Sequence, residues 1–152
     1  MKNTTLCYIE KDGKYLMLHR TKKENDENKD KWVGIGGKFE EGESPFDCIR
    51  REITEETSLF AKKLCYRGIV TFVSDIYGTE YMHLFTCPEF SGTLSENCNE
   101  GTPEWIKIED VEKLPRWEGD KIFFKLLREK VPFFSLKLVY SGDALISHEL
   151  EF

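Results

Sequence analysis

The carboxylates between Gly36 and Leu59 are the residues best suited to do chemistry in this chain of 152 residues. The segment reads GGKFEEGESPFDCIRREITEETSL. Carboxylates at this density repel one another unless a cation lies among them. The segment therefore predicts a site for a divalent metal that in turn holds phosphate. Ligand sets made only of oxygen favour Mg²⁺ or Mn²⁺ over Zn²⁺.

A helix over residues 44–57 is expected to position these carboxylates. Ser44 suits the N-cap, Pro45 suits the first helical position, and Asp47 at the third position is a weaker relative of the capping-box acid. The start of the helix is therefore encoded locally.

The acidic side chains of this helix share one face. At 100° per residue, Glu52, Glu55 and Glu56 fall within about a third of the circumference. Apolar side chains occupy an adjacent face, namely Phe46, Ile49 and Ile53. One face can dock on a core while its neighbour presents three carboxylates to one point. The alternative is a solvated acidic face, which is the common role of a charge run.

The remaining elements predict a mixed sheet with helices on its faces. Strands are expected at 4–9 and 15–20, joined by a hairpin turn at Asp12-Gly13. A charged loop over 21–31 follows, and it is either solvated or a rim of the active site. Further expected elements are strands at 64–73, 80–87 and 104–108, a helix over 120–129, and a final hairpin that turns at Ser141-Gly142-Asp143. This order indicates the α/β class, as an α/β/α sandwich.

Composition predicts a single folded domain over residues 1–152. The hydrophobic share of 39% and the aromatic share of 13% argue against disorder. A net charge of −6 argues against nonspecific binding to nucleic acid or to an anionic membrane. The five cysteines include no CxxC pair, which favours reduced thiols and a cytoplasmic location. The opening MKNTTLCYIEKDGK is polar and alternating, so we expect neither a signal peptide nor a membrane span, and no obligate protein partner is evident.

The spacing of the acidic segment resembles a family signature. Gly37 is followed after five residues by Glu43 and, after seven more, by Arg51-Glu52-Ile53-Thr54-Glu55-Glu56-Thr57-Ser58-Leu59. This pattern resembles the signature of the Nudix (MutT-like) hydrolases, G-x5-E-x7-R-E-U-x-E-E-x-G-U, in which U is aliphatic. Eight of its nine specified positions match over 23 residues. The departure is Ser58, where the family has Gly; a left-handed Ser there costs on the order of 1 kcal/mol and removes no ligand.

The resemblance implies an α/β/α Nudix fold and a hydrolytic metal site. Its metal ligands would be Glu52, Glu55, Glu56, Glu100 and the backbone carbonyl of Gly36. A divalent metal would lower the pKa of the attacking water and offset charge on the phosphate oxygens, and a carboxylate would remove the proton. We expect Glu56 to be that base, with Glu55 or Glu100 as rivals.

Other residues of the signature would orient this site. Arg51 would hold a glutamate of the signature through a salt bridge, and Glu43 is the other expected partner in that network. Arg20 and Lys38 are candidates for phosphate contact, although either is otherwise a solvated cation.

Segments outside the signature are similar to those of oxidised-purine nucleoside triphosphate diphosphatases, particularly the bacterial 8-oxo-dGTP diphosphatases. The similarity is carried by Trp117-Glu118-Gly119-Asp120 and the phenylalanine-rich tail. It implies that Trp117 stacks on the purine and that Asp120 hydrogen-bonds its edge. The alternatives are a core tryptophan and an N-cap of the following helix.

The segment approaching the signature also belongs to this resemblance. Its expected substrate contacts are Val33, Ile35, Gly36 and Gly37. Val33 and Gly119 stand where the animal enzymes have Asn and Asp. Both differences remove hydrogen-bonding groups, which predicts altered selectivity among oxidised purines.

Three function classes follow from these observations. The first is an Mg²⁺-dependent hydrolase, with Mn²⁺ as a substitute, that converts small oxidised purine nucleoside triphosphates to the monophosphate and pyrophosphate and so sanitises the nucleotide pool. The second is a Nudix hydrolase for a dinucleoside polyphosphate, ADP-ribose or an RNA 5′-triphosphate end. The third is a non-catalytic nucleotide-binding domain, against which the intact glutamate set argues.

Overall fold

The computed structural model describes residues 1–21, 28–96 and 101–152. In chain order the elements are β1 (Lys2–Lys11), β2 (Lys14–His19), β3 (Trp32–Val33), α1 (Pro45–Thr57), β4 (Phe60–Ser74), β5 (Gly78–Ser91), β6 (Thr102–Lys107), a 3₁₀-helix (Ile108–Lys113), α2 (Asp120–Arg128), β7 (Phe134–Ser141) and β8 (Ala144–Glu151). All the predicted strands and helices are present. The two-residue strand β3 and the 3₁₀-helix were not predicted.

The strands form one mixed sheet. Its order is β3-β2-β1-β5-β4-β7-β8, and β6 pairs with β2 beside this path. The pairs β1–β5 and β4–β7 are parallel, and the remaining pairs are antiparallel. The predicted α/β fold class is therefore confirmed.

The two helices cover opposite faces of the sheet. Successive residues of a strand point to opposite faces, and on β1 Cys7 and Tyr8 belong to different core clusters. Ile53 of α1 lies in the cluster with Cys7, whereas Phe123 of α2 lies in the cluster with Tyr8. The sheet is thus the middle layer of a sandwich, and its strands connect the two halves.

Local signals define both ends of α1. The Oγ of Ser44 accepts a hydrogen bond of 3.1 Å from the N–H of Asp47, whose carboxylate accepts one of 3.0 Å from the N–H of Ser44. This reciprocal capping box satisfies two of the unpaired donors at the helix start. At the other end Ser58 takes a left-handed conformation with φ 64°, as expected from its place in the signature.

The charged loop and the cysteines are only partly described. Residues 22–27 of that loop lie outside the described residues. Cys7, Cys48, Cys65 and Cys87 are free thiols, and Cys98 lies outside the described residues. Within the described ranges neither helix combines the length and the apolar character that crossing a bilayer requires.

Candidate active site

Two carboxylates of α1 lie against the glycine loop that precedes it. The N–H of Gly36 donates a hydrogen bond of 3.2 Å to the Oε2 of Glu56, whose residue is only 8% exposed. A Cβ built on Gly37 would lie 2.7 Å from the carboxylate carbon of Glu52. Glycine at that position therefore allows the loop backbone to approach Glu52 closely, and Glu52 and Glu56 flank the loop.

Arg51 connects the acidic residues around this loop. Its Nε and Nη2 atoms donate hydrogen bonds of 2.7 and 2.9 Å to the two carboxylate oxygens of Glu43. Its Nη1 atom donates to Glu52 at 2.8 Å and to Glu55 at 3.1 Å. Nη2 also reaches the carbonyl of Lys38 at 3.0 Å. The hydrogen bonds from Arg51 lower the pKa of Glu43, so Glu43 remains ionised and anchors the guanidinium.

Glu55 is the most exposed of the three glutamates on α1. Its side chain is 58% exposed and has the Arg51 contact already described. Glu55 therefore lies on the solvent side of the helix, where Arg51 holds its carboxylate.

A cleft of about 810 Å³ extends from this loop across the sheet. Its lining contains seven residues of the signature region, namely Gly36, Gly37, Lys38, Phe39, Glu40, Arg51 and Glu52. The same cleft is lined by the expected substrate residues Arg20, Val33, Trp117 and Asp120. The structure thus brings the acidic loop and the proposed purine contacts into one cavity, large enough for a nucleotide.

Trp117 is both a core residue and a wall of the cleft. It is 6% exposed, and its ring packs edge-on against Phe72 and Tyr140, with centroid separations of 5.1 Å for both pairs. Its Nε1 donates a hydrogen bond of 2.7 Å to the Oδ1 of Asn28, and the Nζ of Lys31 lies 4.3 Å from the ring centroid. These contacts fix the plane of the indole in the wall of the cleft.

Asp120 is a buried carboxyl at the first position of α2. The N-cap is Gly119 and makes no side-chain cap hydrogen bond, so the alternative role of Asp120 as the N-cap does not hold. Burial raises the pKa of Asp120 to about 7, although the positive charge of Arg116, the backbone of Trp117 and Lys31 oppose this shift. Near neutral pH the carboxyl is therefore partly protonated and can both donate and accept hydrogen bonds.

Comparison with known proteins agrees with this geometry. A family model for the NUDIX domain matches residues 2–127. This chain belongs to the Nudix family. The sequence prediction of the family is confirmed.

Relatives within the Nudix family span most of the chain. The oxidized purine nucleoside triphosphate hydrolase of Danio rerio is 31% identical over 123 residues, which are 80% of this chain and 78% of that protein. An uncharacterized Nudix hydrolase of Bacillus subtilis (strain 168) is 29% identical over 124 residues, which are 79% of this chain and 75% of that protein. The crystal structure of a MutT mutator protein from Bacillus halodurans superposes with a TM-score of 0.88 at 28% identity and covers 99% of this chain and 98% of that one.

Membership in the Nudix family establishes the general chemistry. The chain is a hydrolase of the kind that acts on phosphoric anhydrides. Nudix hydrolases generally use a divalent metal and act on small nucleotide substrates.

The residues of this Nudix site suit such a metal. Glu52, Glu55 and Glu56 carry the hard carboxylate oxygens that Mg²⁺ and Mn²⁺ prefer, and Glu52 lies close to the backbone of the glycine loop at Gly37. Over residues 1–21, 28–96 and 101–152, no three carboxylate, thiol or imidazole side chains already converge on one point. Glu100, the expected distant ligand, lies outside the described residues. In this structure Arg51 donates hydrogen bonds to two of the candidate metal ligands, Glu52 and Glu55.

Two of the predicted substrate residues are placed away from the cleft. Ile35 is completely buried among the core residues beside α1, and its N–H and carbonyl both pair with Cys7. Its side chain and backbone are therefore already engaged. Gly119 donates its N–H to the hydroxyl of Tyr140 at 2.6 Å, and a Cβ there would lie 2.6 Å from Leu138 Cδ1. Neither Ile35 nor Gly119 therefore lines the Nudix cleft.

Sequence reasoning missed the floor of the cleft. Even-numbered residues of the parallel strands β1 and β5 line it, namely Lys2, Thr4, Leu6, Tyr8, Glu80 and Met82. The alternation of residue types along β1 and along β5 shows which residues share a face of each strand. Only the pairing of β1 with β5 places these two faces side by side. Tyr140 was also missed, because its segment showed only the pattern of a hairpin strand.

Proposed function

We propose that this Nudix hydrolase is an Mg²⁺-dependent diphosphatase for oxidised purine nucleoside triphosphates such as 8-oxo-dGTP, with monophosphate and pyrophosphate as products. The observation that carries the proposal is that one cleft contains Glu52 of the acidic helix together with Trp117 and Asp120. The relative from Danio rerio named above supports the same substrate class.

The acidic helix would hold the metal and accept a proton from the attacking water. Glu52, Glu55 and Glu56, with the Gly36 carbonyl and Glu100, would be the ligands. The bound ion would lower the pKa of water and offset negative charge on the phosphate oxygens. Glu56 is our choice for the group that accepts the proton from water, because it is largely buried beside the loop and is held by the N–H of Gly36.

The cationic residues would bind the triphosphate. Lys38 and Arg20 both line the cleft, where their charges complement phosphate oxygens. Arg51 is occupied by Glu43, Glu52 and Glu55, so its role would be to orient carboxylates rather than to contact phosphate.

The purine would lie against Trp117 with its edge at Asp120. A partly protonated carboxyl can donate one hydrogen bond and accept another, which suits an oxidised purine edge that presents both a carbonyl and an N–H. Val33 lines this part of the cleft without a hydrogen-bonding side chain, so discrimination would depend more heavily on Asp120.

The last two strands, β7 and β8, are part of the proposed hydrolase domain. β7 and β8 lie beyond the matched residues 2–127, yet β7 pairs with β4 in the shared sheet. We therefore treat residues 1–152 as one hydrolase domain.

Steady-state hydrolysis of a substrate panel tests this function. Pyrophosphate and phosphate release would be measured with Mg²⁺ from 8-oxo-dGTP, dGTP, ATP and ADP-ribose, and again with Mn²⁺ or EDTA. We expect the highest kcat/KM for 8-oxo-dGTP, with loss of activity in EDTA. Efficient hydrolysis of another substrate with 8-oxo-dGTP ignored would overturn the substrate assignment, and no turnover of any of the four would favour the non-catalytic class.

The variant Glu56→Gln tests the proposed role of Glu56 as the general base. Gln keeps the shape and an oxygen acceptor for the N–H of Gly36, but it cannot take a proton. We expect kcat to fall by orders of magnitude, on the scale of about 10²–10⁴-fold for a lost general base, with unchanged thermal stability. Glu41→Gln, at an exposed position that does not line the cleft, should keep normal turnover.

A further inference from the structure

The floor of the cleft carries a carboxylate that the proposed mechanism does not use. Glu80 lies near the start of β5, and its side chain is 14% exposed. Thr4 Oγ1 donates a hydrogen bond of 2.8 Å to Glu80 Oε2, and Lys2 Nζ lies 3.5 Å from Oε1. Lys2, Thr4 and Glu80 all line the cleft. The carboxylate is therefore held in place at the cavity surface.

Sheet register places Glu80 next to the aromatic wall. On its two sides, Glu80 pairs with Lys2 of β1 and with Phe72 of β4. Directly paired residues on neighbouring strands have Cβ atoms about 4.5–5.5 Å apart. Phe72 in turn packs edge-on against Trp117 with ring centroids 5.1 Å apart. One intervening side chain thus separates Glu80 from the indole proposed to stack on the purine.

The hydrogen-bonding capacity of Glu80 exceeds what these contacts use. A carboxylate has about four acceptor positions, and Thr4 and Lys2 account for one hydrogen bond and one ion pair. Lys2 also offsets part of the negative charge, which lowers the repulsion that a free carboxylate would exert on a nucleotide. What remains is an acceptor that suits a neutral hydrogen-bond donor.

We infer that Glu80 is a second recognition group for the nucleoside half of the substrate, accepting a hydrogen bond from the exocyclic amine of the base or from a sugar hydroxyl. This inference deepens the proposed function and rests on nucleotide binding in the same cleft. Asp120 and Glu80 then provide two polar groups in a cleft where Val33 provides none. Glu80 contacts the ligand, whereas Thr4 positions the Glu80 carboxylate.

Binding of product analogues tests the inference without requiring turnover. Calorimetry would compare the wild type with Glu80→Gln for 8-oxo-dGMP, for its analogue without the exocyclic amine (8-oxo-dIMP), for its 2′,3′-dideoxy analogue and for 8-oxo-GMP. We expect Glu80→Gln to weaken 8-oxo-dGMP binding by about 10- to 100-fold, as for the loss of a hydrogen bond to a charged group. That loss should shrink to a few-fold for the analogue that lacks the donor, which identifies the donor as the base amine or the sugar hydroxyl.

Two controls separate recognition from structure. Glu89→Gln lies on the same strand but outside this cleft, and it should bind every analogue as the wild type does. Thr4→Val removes only the hydrogen bond that holds Glu80, so it should give a smaller loss with the same dependence on the analogue. Melting temperatures of all variants report whether the sheet is intact.

Several outcomes would overturn the inference. One is an unchanged affinity in Glu80→Gln. Another is an equal loss for all the analogues, which would make Glu80 an ion-pair partner of Lys2 alone. Failure of the wild type to bind any of the monophosphates would also reject it. Tight, Glu80-dependent binding of 8-oxo-dGMP without hydrolysis of 8-oxo-dGTP would instead reject the proposed function and retain the role of Glu80.

Discussion

The hydroxyl oxygen of Tyr140 accepts a hydrogen bond of 2.6 Å from the backbone N–H of Gly119. A Cβ at Gly119 would lie 2.7 Å from that oxygen. The tyrosine and the glycine therefore fit each other, because any larger residue at 119 must displace the hydroxyl. Tyr140 also contacts Trp117, so a residue of β7 holds the segment that leads into Asp120.

Replacing Tyr140 by Phe tests this arrangement. The change leaves the buried N–H of Gly119 without its partner, which costs about 1–3 kcal/mol. We expect lower stability in urea unfolding and a raised KM for purine substrates, with little change in kcat, because Tyr140 acts through Trp117 and Asp120. Tyr81→Phe is the matched control, since among the described residues its hydroxyl makes only an exposed contact of 3.7 Å with the sulfur of Met1. Wild-type stability and KM in Tyr140→Phe would show that the hydrogen bond has no positioning role.

The buried carboxyl of Asp120 makes stability depend on pH. Its pKa is raised from 3.8 to about 7 in the folded state, so between these values the native protein keeps a proton that the unfolded chain loses. The free energy of unfolding should therefore fall as pH rises through this window, by at most about 4 kcal/mol in total. Urea unfolding between pH 4 and pH 8 measures the slope.

Asp120→Asn should flatten that slope. The amide carries no charge, so this variant should be the more stable protein at pH 8, yet it should discriminate less well among purines. Asp12→Asn, in the exposed turn between β1 and β2, should keep the wild-type slope. If Asp120→Asn also keeps it, the carboxyl is ionised in the native state across the whole range.

Arg51 is expected to be irreplaceable by Lys. A lysine ammonium cannot reproduce the two parallel hydrogen bonds to Glu43 while also reaching Glu52. We expect Arg51→Lys to lower kcat/KM and the apparent affinity for Mg²⁺ by about 10- to 100-fold, the usual effect of losing a group that orients a metal ligand. Kinetics over a Mg²⁺ titration measure both quantities.

The neighbouring arginine supplies the control for that prediction. Arg50 is exposed, and its guanidinium lies 5.7 Å from the ring centroid of Phe46. Arg50→Lys should therefore behave as the wild type. An equal loss in both variants would point to a general effect of charge geometry on α1 rather than to the Glu43 network.

Ser58→Gly should stabilise the protein. Ser58 has φ 64°, and the left-handed conformation costs a residue with a Cβ about 1–2 kcal/mol, part of which the greater chain entropy of unfolded glycine offsets. We expect a net gain of about 0.5–1 kcal/mol in chemical denaturation, with unchanged kinetics. Ser44→Ala, which removes the cap at the other end of α1, should shift stability by a similar amount in the opposite direction. A loss of stability in Ser58→Gly would mean that the serine side chain makes a compensating contact.

Sequence alone was sufficient to predict the start of α1 and the first hairpin turn, where the signals are local. Ser44 and Asp47 predicted the start of α1, and the capping box is present. Asp12 and Gly13 predicted a hairpin turn, and both have positive φ, at 51° and 73°. These features depend on residues within one turn of each other, so no knowledge of the fold was needed to find them.

Distant relationships were beyond the sequence. The segment around Asp120 fitted both a helix cap and a purine contact, and the start of α2 at Asp120, with Gly119 as its N-cap, excludes the cap. Ile35 adjoins the glycines of the signature, yet its pairing with Cys7 turns it into the core. Glu80 and Tyr140 carry no motif at all; the place of Glu80 in the cleft and the contact of Tyr140 with Trp117 follow from the register of β5 and β7 with their neighbours.

The hydrogen bond between Thr4 and Glu80 joins residues 76 positions apart in the chain. Contacts of such long sequence separation form only after a large loop has closed, and this closure costs chain entropy. Such contacts therefore slow folding. Helix α1, whose cap and turns involve only near neighbours, can form before the two parallel strands meet. During refolding we therefore expect the helical signal to recover before nucleotide binding, because the acidic helix exists for a time without the floor on which a nucleoside would lie.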